Sequence, residues 1–141
     1  MHDLDDPHGH EDSGPRFFIA LANFLVDDVV ATVEYYQDVL GFEVDFVFGE
    51  PAYYASVFRA GAIISFTKSD PPGCRNSIAG SGSSTGSDAV LIVSELDALY
   101  DEMKERGAVI GEVVERDYGM REFQIFDCND YRLTLAEEMP M

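Results

Sequence analysis

Apolar and polar positions in the first part of the chain predict a strand followed by a helix. Residues 17–26 form an apolar run of strand length. The carboxylates of Asp27 and Asp28 come next and are suited to accept hydrogen bonds from the free amides of a first helical turn. Gly41 is a suitable helix stop. Between these signals, hydrophobic residues recur at helical spacing and predict one apolar side of the helix: Val29, Val33, Tyr36 and Leu40.

Three further strands are predicted over residues 42–48, 53–59 and 62–67. The Ala60-Gly61 step between the last two is short enough for a tight hairpin. Residues 69–87 are rich in serine and glycine and include Pro-Pro, which predicts a linker or a mobile surface loop without regular structure.

The same order of elements then starts again. A strand is predicted over residues 89–93, and three more over 109–114, 122–126 and 131–136. The helix between them ends at Gly107, which lies 66 residues after Gly41. One side of this helix carries Leu96, Leu99, Met103 and Arg106.

This internal repeat predicts an α+β fold in one domain, residues 16–141. The domain is expected to consist of two βαβββ modules, at about 17–68 and 88–137, joined by the Gly/Ser-rich loop 69–87. Residues 1–15 have almost no apolar content and predict a disordered acidic tail.

The strongly negative net charge of the chain argues against some classes of binding partner. The 141 residues include 27 acidic and nine basic side chains, for a net charge of −18. Such a surface repels a nucleic acid backbone and attracts cationic ligands, so no nucleic acid partner is expected. No apolar run approaches the roughly 20 residues that span a bilayer, so no membrane partner is expected either. Two cysteines are too few for a disulfide framework, which favours a cytoplasmic location.

All three histidines of the chain, His2, His8 and His10, lie in the predicted tail. The predicted domain therefore has no histidine that can ligate a metal or act as a catalytic base. Arrangements of the Ser-His-Asp and Cys-His types are excluded on the same ground.

Three sequence phrases resemble the vicinal oxygen chelate superfamily, which includes glyoxalase I, extradiol dioxygenases, fosfomycin-resistance enzymes and bleomycin-binding proteins. The first is Val-Asp-Asp at 26–28 with Tyr-Tyr-Gln-Asp-Val-Leu-Gly-Phe at 35–42. The second is Val-Ser-Glu-Leu-Asp-Ala-Leu-Tyr at 93–100 with Arg-Gly at 106–107. The third is Tyr-Gly-Met-Arg-Glu-Phe at 118–123 with Asp-Cys-Asn-Asp-Tyr-Arg at 127–132, in which Cys128 and Asp130 replace the proline and glycine of the family. The resemblance implies a cupped mixed sheet with helices on its outer face, and a homodimer.

Enzymes of this superfamily hold one divalent metal in the cup, through His and Glu side chains on the first and fourth strands of each module. The resemblance places Leu21 and Ser65 at these positions in the first module, and Asp88 and Thr134 in the second. Leucine cannot ligate a metal, and the two hydroxyl groups are poor ligands. Only Asp88 is a weak candidate, so the resemblance implies no metal site and no cofactor.

The same placement implies a ligand cavity. Asn23 shares the alternation that puts Leu21 in the cup, and the surplus of aromatic side chains is suited to flat ligands. Arg121 is either an anchor for an anionic group or a structural ion-pair partner. The expected cavity residues are Leu21, Asn23, Phe46, Phe48, Tyr54, Ser65, Asp88, Tyr118, Arg121 and Thr134, and no catalytic residue is expected among them.

The resemblance is strongest to the bleomycin-resistance branch, which implies a metal-free protein that binds a small molecule. The expected ligand is a cationic or aromatic compound that is sequestered without being changed. The alternative is a divergent lyase, isomerase or dioxygenase of the same superfamily that uses Mg or Mn. A third possibility is a regulatory subunit that binds a protein partner.

Overall fold

The structure is a computed structural model that describes residues 14–140, and within them two sheets and two helices follow the predicted order. The predicted tail, with His2, His8 and His10, lies outside the described residues except for its last two positions. No helix within residues 14–140 is long and apolar enough to cross a membrane.

The first module is a four-stranded sheet with one helix. Its elements are β1 (Ala22–Val26), α1 (Val29–Asp38), β2 (Glu43–Phe48), β3 (Tyr54–Arg59) and β4 (Ala62–Lys68). The strand order is β1-β4-β3-β2, with β1 parallel to β4 and the other pairs antiparallel. The predicted strand over residues 17–26 is right only for its second half. Residues 16–21 lie outside the sheet, and the side chain of Phe17 is fully exposed.

Helix α1 begins and packs as its sequence predicts. The Asp28 carboxylate accepts a hydrogen bond from the backbone nitrogen of Ala31 at 2.9 Å, which caps the first turn. All four residues of the apolar stripe are buried: Val29, Val33, Tyr36 and Leu40. Gly41 ends the turn with a φ of 72°, and a Cβ there would lie 2.7 Å from Nη1 of Arg59. Only glycine meets both conditions without displacing that guanidinium.

The second module repeats this arrangement with one strand divided. Its elements are β5 (Ala89–Ile92), α2 (Leu96–Glu105), β6 (Val109–Ile110), β7 (Val114–Glu115), β8 (Met120–Phe126) and β9 (Arg132–Glu138). The strand order is β5-β9-β8-β6, and β7 also pairs with β8. The predicted strand over residues 109–114 is therefore two short strands. The Gly111 amide makes the last hydrogen bond to β8, at the Gln124 carbonyl, before the chain leaves the ladder. Helix α2 begins at a carboxylate from β9, because Glu137 accepts from the amides of Glu95 and Leu96.

The loop over residues 69–87 contains one short 3₁₀ turn (Ala79–Ser81) and is tied to both modules. The Asn76 side chain accepts from the Leu25 amide at 3.0 Å and donates to the Asn23 carbonyl at 2.9 Å. It thus pairs with the free edge of β1 as a neighbouring strand would. At the other end, Arg132 donates to loop carbonyls from Ser83 to Gly86. These bonds give the loop a defined position on the domain surface.

The two modules share one hydrophobic core. Phe24 of β1 stacks on Tyr131 with ring centroids 4.1 Å apart, and the Tyr36 hydroxyl donates to Asp127 at 2.6 Å. Arg59 and Glu102 form a double hydrogen bond from the β3–β4 turn to α2. Each sheet thus has one face on the helices and the core, and one opposite face. We call the latter the helix-free face of that module.

Candidate functional site

The helix-free face of the first module has a polar centre beside aromatic side chains. Its middle row runs across the sheet through Asn23, Ser65, Ser56 and Phe46, each paired with the next. The Asn23 amide donates to the Ser65 hydroxyl at 2.6 Å and accepts from the Thr67 hydroxyl at 3.0 Å. Ser65 and Ser56 are buried. The polar groups at the centre therefore bond to one another.

Aromatic rings flank this polar row. Tyr54 and Phe48 are cross-strand partners in the next row, and the rings of Phe46 and Tyr54 lie 5.5 Å apart. Phe48 is 60% exposed. The sequence-predicted residues Asn23, Ser65, Phe46, Phe48 and Tyr54 are thus brought together on one face.

The helix-free face of the second module differs in character. Its middle row is Val90, Thr134 and Gln124, and the Gln124 amide donates to the Thr134 hydroxyl at 3.2 Å. The Ser87 hydroxyl also bonds to Thr134. The next row brings Ile92, Ala136, Glu122 and Val114 together. Val90 and Ile92 are largely exposed, so this face is aliphatic around a few polar groups.

Glu122 is the one nearly buried glutamate among residues 14–140. Its Oε1 accepts from Nε of Arg116 at 2.8 Å, and its Oε2 accepts from the Tyr118 hydroxyl at 2.8 Å. These bonds raise the pKa of Tyr118 and of Arg116 above their ordinary values, because each donor stabilises the carboxylate best when it keeps its proton. Sequence reasoning missed Glu122 and Arg116. The available signal was the alternation of Glu122 with Gln124 along β8.

The positions implied for a metal lie at different levels of the paired strands in each module. Opposite Ser65 in the parallel β1–β4 pair lies Asn23, and Leu21 lies one step further along the same face. Opposite Thr134 in the β5–β9 pair lies Val90 instead of Asp88. The alternation of a strand fixes which face a side chain occupies, but it does not fix its level along the neighbouring strand.

Asp88 itself is used for structure. Its Oδ1 accepts from the Ile78 amide at 2.6 Å and its Oδ2 from the Arg132 amide at 2.7 Å, so both oxygens hold backbone. The other implied positions, Leu21, Ser65 and Thr134, carry a leucine and two hydroxyls, and this set does not fit a divalent transition metal. No group of three or more His, Cys, Asp or Glu side chains suited to a metal occurs within residues 14–140.

Arg121 lies on the other face of β8 and does not belong to the predicted cavity. It is the neighbour of Glu122 along the strand, and alternation turns it towards α2. There its guanidinium donates twice to Asp97, at 3.0 and 3.2 Å. The structural ion-pair interpretation is therefore the correct one for Arg121.

A groove of about 1020 Å³ lies between the start of β1 and β5. It is bounded by the β3–β4 turn and by α2, and most of its lining is apolar. Of the predicted cavity residues, only Leu21 and Asp88 line it. The groove therefore includes Val90 and Ile92 of the second helix-free face but none of Phe46, Phe48 and Tyr54 of the first.

One chain does not assemble the predicted cavity from both modules. Ser65 belongs to the first sheet and Thr134 to the second, each on the side of its sheet opposite the shared core. Tyr118, which is largely exposed, lies with Glu122 on the second face. The candidate site is thus two separate half-sites.

The paired modules and the two open sheet faces define a class of protein that comparison with known families identifies. The sequence profile of the Glyoxalase/Bleomycin resistance protein/Dioxygenase superfamily matches residues 18–135. The chain belongs to this superfamily. A search among curated proteins found no match to the chain.

Solved structures of the same fold include a glyoxalase-related enzyme from Clostridium phytofermentans, at 20% identity and a TM-score of 0.71, covering 91% of this chain and 100% of that one. The bleomycin-binding protein of Streptomyces verticillus, complexed with copper(II)-bleomycin, is 23% identical with a TM-score of 0.64 and the same coverage. The bleomycin resistance determinant encoded on transposon Tn5 is 19% identical with a TM-score of 0.68, covering 85% of this chain and 97% of that one. At these identities the likeness shows the fold.

Proposed function

We propose that the chain is a metal-free binding protein that sequesters a cationic or aromatic small molecule between two copies of itself. The observation that carries the proposal is the first helix-free face, where exposed rings flank hydrogen-bonded polar groups that include Ser65, one of the positions implied for a metal ligand.

The metal-free part rests on the polar groups at the centre of each helix-free face. The amide oxygen of Asn23 accepts from the Thr67 hydroxyl, and its amide nitrogen donates to Ser65. In the second module Thr134 is bonded to Ser87 and Gln124, beside Val90. Neutral groups that satisfy one another are typical of a structured binding surface, and divalent metals prefer carboxylates and imidazoles.

The aromatic part rests on exposure. Phe48 and Phe46 present rings to solvent on a sheet face, where apolar surface of this kind marks binding sites for ligands or proteins. Flat rings with a few fixed polar groups suit planar ligands. The net charge of −18 favours a cationic one. The bleomycin-binding neighbour, which was solved with copper(II)-bleomycin, supports an antibiotic of this kind as the first compound to test.

The dimer rests on the separation of the half-sites. Exposed apolar side chains occur on both helix-free faces, including Phe48 on the first and Val90, Ile92 and Val109 on the second. A second copy related by a two-fold axis can place the first face of one chain over the second face of the other, which encloses two equivalent sites. The two free cysteines favour a reducing, cytoplasmic setting for this dimer.

The test is a calorimetric titration of the purified protein with phleomycin, bleomycin and an anthracycline, together with its mass in solution. We expect a dimer that binds two molecules of one of these compounds, and chromatography that recovers the compound unchanged. A flat titration across all three, or conversion of the compound, contradicts the proposal. Metal analysis and a melting temperature with added Mg or Mn test the metal-free part, since a bound metal raises that temperature.

A further inference from the structure

Glu122 is a charged group in a place where charge is costly. Its side chain is 9% exposed on the helix-free face of the second module, between Gln124 on its own strand and Ala136 on the next. A carboxylate that leaves water requires cationic or donor partners to offset its lost hydration. Its partners therefore indicate what this position is suited to bind.

Both partners come from the solvent side. Arg116 and Tyr118 belong to the turn between β7 and β8, where the Arg116 side chain is half-exposed and Tyr118 is largely exposed. Backbone bonds hold this turn, from the Arg116 amide to the Met120 carbonyl at 2.7 Å and from the Gly119 amide to the Arg116 carbonyl at 3.1 Å. The Arg116 side chain can consequently move away without opening the turn.

Two other arginines of the domain, Arg59 and Arg121, make more hydrogen bonds than Arg116 does. Arg59 donates to both oxygens of Glu102 and also to the Leu40 carbonyl. Arg121 gives Asp97 two hydrogen bonds from its terminal nitrogens. Arg116 gives Glu122 one bond, from Nε. A single charge-assisted bond from a half-exposed side chain is the easiest of these contacts to replace.

The surroundings favour a positive group in place of Arg116. Glu138 is exposed and follows Ala136 in the alternation of β9, so it shares the face with Glu122. Tyr118 is 64% exposed while its hydroxyl donates to Glu122, which leaves an aromatic surface beside the carboxylate. A carboxylate with an adjacent ring is a favourable arrangement for an organic cation.

We propose that Glu122 is the anchor for a positively charged group of the ligand, and that the Arg116 guanidinium occupies this anchor in the ligand-free protein. The inference rests on the proposed binding function and assigns its cation to the second module. Binding then exchanges one cation on Glu122 for another and leaves the turn in place.

The first test replaces Arg116 and supplies an external cation. Agmatine, which carries a guanidinium and an ammonium group, is expected to bind Arg116→Ala and to raise its melting temperature. Neutral propylurea at the same concentration is expected to do neither. Adding Glu122→Gln to Arg116→Ala should weaken agmatine binding by at least about tenfold, the value of a hydrogen bond to a charged group. Arg116→Gln serves as a second background if Arg116→Ala folds poorly.

Arg121→Ala is the matched control. It removes an arginine from an ion pair on the same strand, but it leaves Asp97, whose side chain is 72% exposed, and no enclosed anion. We expect no agmatine effect in this variant. If Arg116→Ala and Arg121→Ala respond alike, or if Glu122→Gln changes nothing, the inference is wrong.

The second test uses the chain with Arg116 in place. Bleomycin with its cationic terminal amine is compared with bleomycinic acid, which has a carboxylate there. Glu122→Gln should weaken binding of the cationic compound by at least about tenfold and change binding of the acid little. If both compounds bind and lose affinity equally, the anchor is overturned while the binding function stands. If neither binds, the proposed ligand class fails, and the agmatine experiment still decides the role of Glu122.

Discussion

The two modules have the same order of strands and helix, but their helix-free faces differ in chemistry. The first face carries the rings of Phe46, Phe48 and Tyr54 around neutral polar groups. The second carries aliphatic side chains around Glu122 and its two donors. A repeat conserves what the core requires, namely the apolar stripes and the strand pairing. The outward positions are free to differ, and here one face carries rings and the other a nearly buried carboxylate.

The modules also differ in the hairpins that join their last two strands. The β3–β4 hairpin turns directly through Ala60 and Gly61. The β8–β9 turn is longer, and its Asp127 carboxylate accepts from the Tyr36 hydroxyl and from the amides of Asn129 and Tyr131. The second hairpin therefore joins the modules, since Tyr36 lies on α1.

Replacing Asp127 with alanine should cause the largest loss of stability among the substitutions that distinguish the two modules. The change leaves a buried hydroxyl and two amides without their acceptor, so we expect the free energy of unfolding to fall by about 3 kcal/mol. Urea denaturation measures it. Ala60→Gly, in the corresponding turn of the first module, is the control, and it should change stability by less than about 1 kcal/mol because the φ of 50° suits glycine. Equal losses in the two turns would show that Asp127 does not join the modules.

Asn76→Ala tests how the loop protects the first module. The Asn76 amide pairs with the edge of β1 and its oxygen also accepts from the Tyr131 hydroxyl at 2.8 Å. Removing it should lower the free energy of unfolding by about 1 kcal/mol, because the site is exposed and water replaces part of the loss. Hydrogen exchange should speed up at the Leu25 amide. Ser84→Ala in the same loop is the control. If that variant also speeds hydrogen exchange at the Leu25 amide, Asn76 has no specific role at this edge.

Sequence predicted the core better than the site. The stripe from Val29 to Leu40, the Asp28 cap and the Gly41 stop follow from local periodicity and local hydrogen bonding, and the structure confirms them. The family relationship and the α+β fold are also confirmed. Such features depend on residues close together in the chain, which is why one sequence suffices to predict them.

The candidate site depends on contacts between segments that are distant in the sequence, and the local pattern of apolar and polar residues does not reveal them. The pairing of the parallel strands sets Asn23 opposite Ser65 and Val90 opposite Thr134, and neither level follows from one strand alone. Arg121 could be either a ligand anchor or an ion-pair partner from sequence alone, because its partner Asp97 lies on a distant helix. The backbone-holding role of Asp88 and the pairing of Glu122 with Arg116 likewise form only when separate segments meet.

The change in stability at acid pH should distinguish the contribution of Asp27 from that of Asp127. Hydrogen bonds from Arg75, Ser69 and the Gly73 amide hold the pKa of Asp27 far below its ordinary value, so its contribution is present above about pH 4 and is lost as the pH falls. Burial raises the pKa of Asp127, so its protonation favours the folded state and has the opposite sign.

We therefore expect Asp27→Asn to flatten the loss of stability below about pH 4. Urea denaturation at a series of pH values measures this slope. Asp101→Asn, on the exposed side of α2, is the control. A slope unchanged by Asp27→Asn would mean that its hydrogen bonds persist when it is protonated.

The smallest expected change in stability, with a distinct change in binding, comes from Phe48→Ala and its counterpart Val109→Ala. Both side chains are exposed on sheet faces, at 60% and 65%, so each variant should unfold within about 0.5 kcal/mol of the unchanged chain. For a planar aromatic compound identified by titration, Phe48→Ala should weaken binding by up to about tenfold, because the stacking partner is lost. Phe48→Leu should recover only part of this, since it restores apolar area without a ring. Val109→Ala should leave the affinity for that ring nearly unchanged. If the two alanine variants weakened binding equally, the ring specificity would not reside in the first module, and the difference between the two faces would not divide the ligand between them.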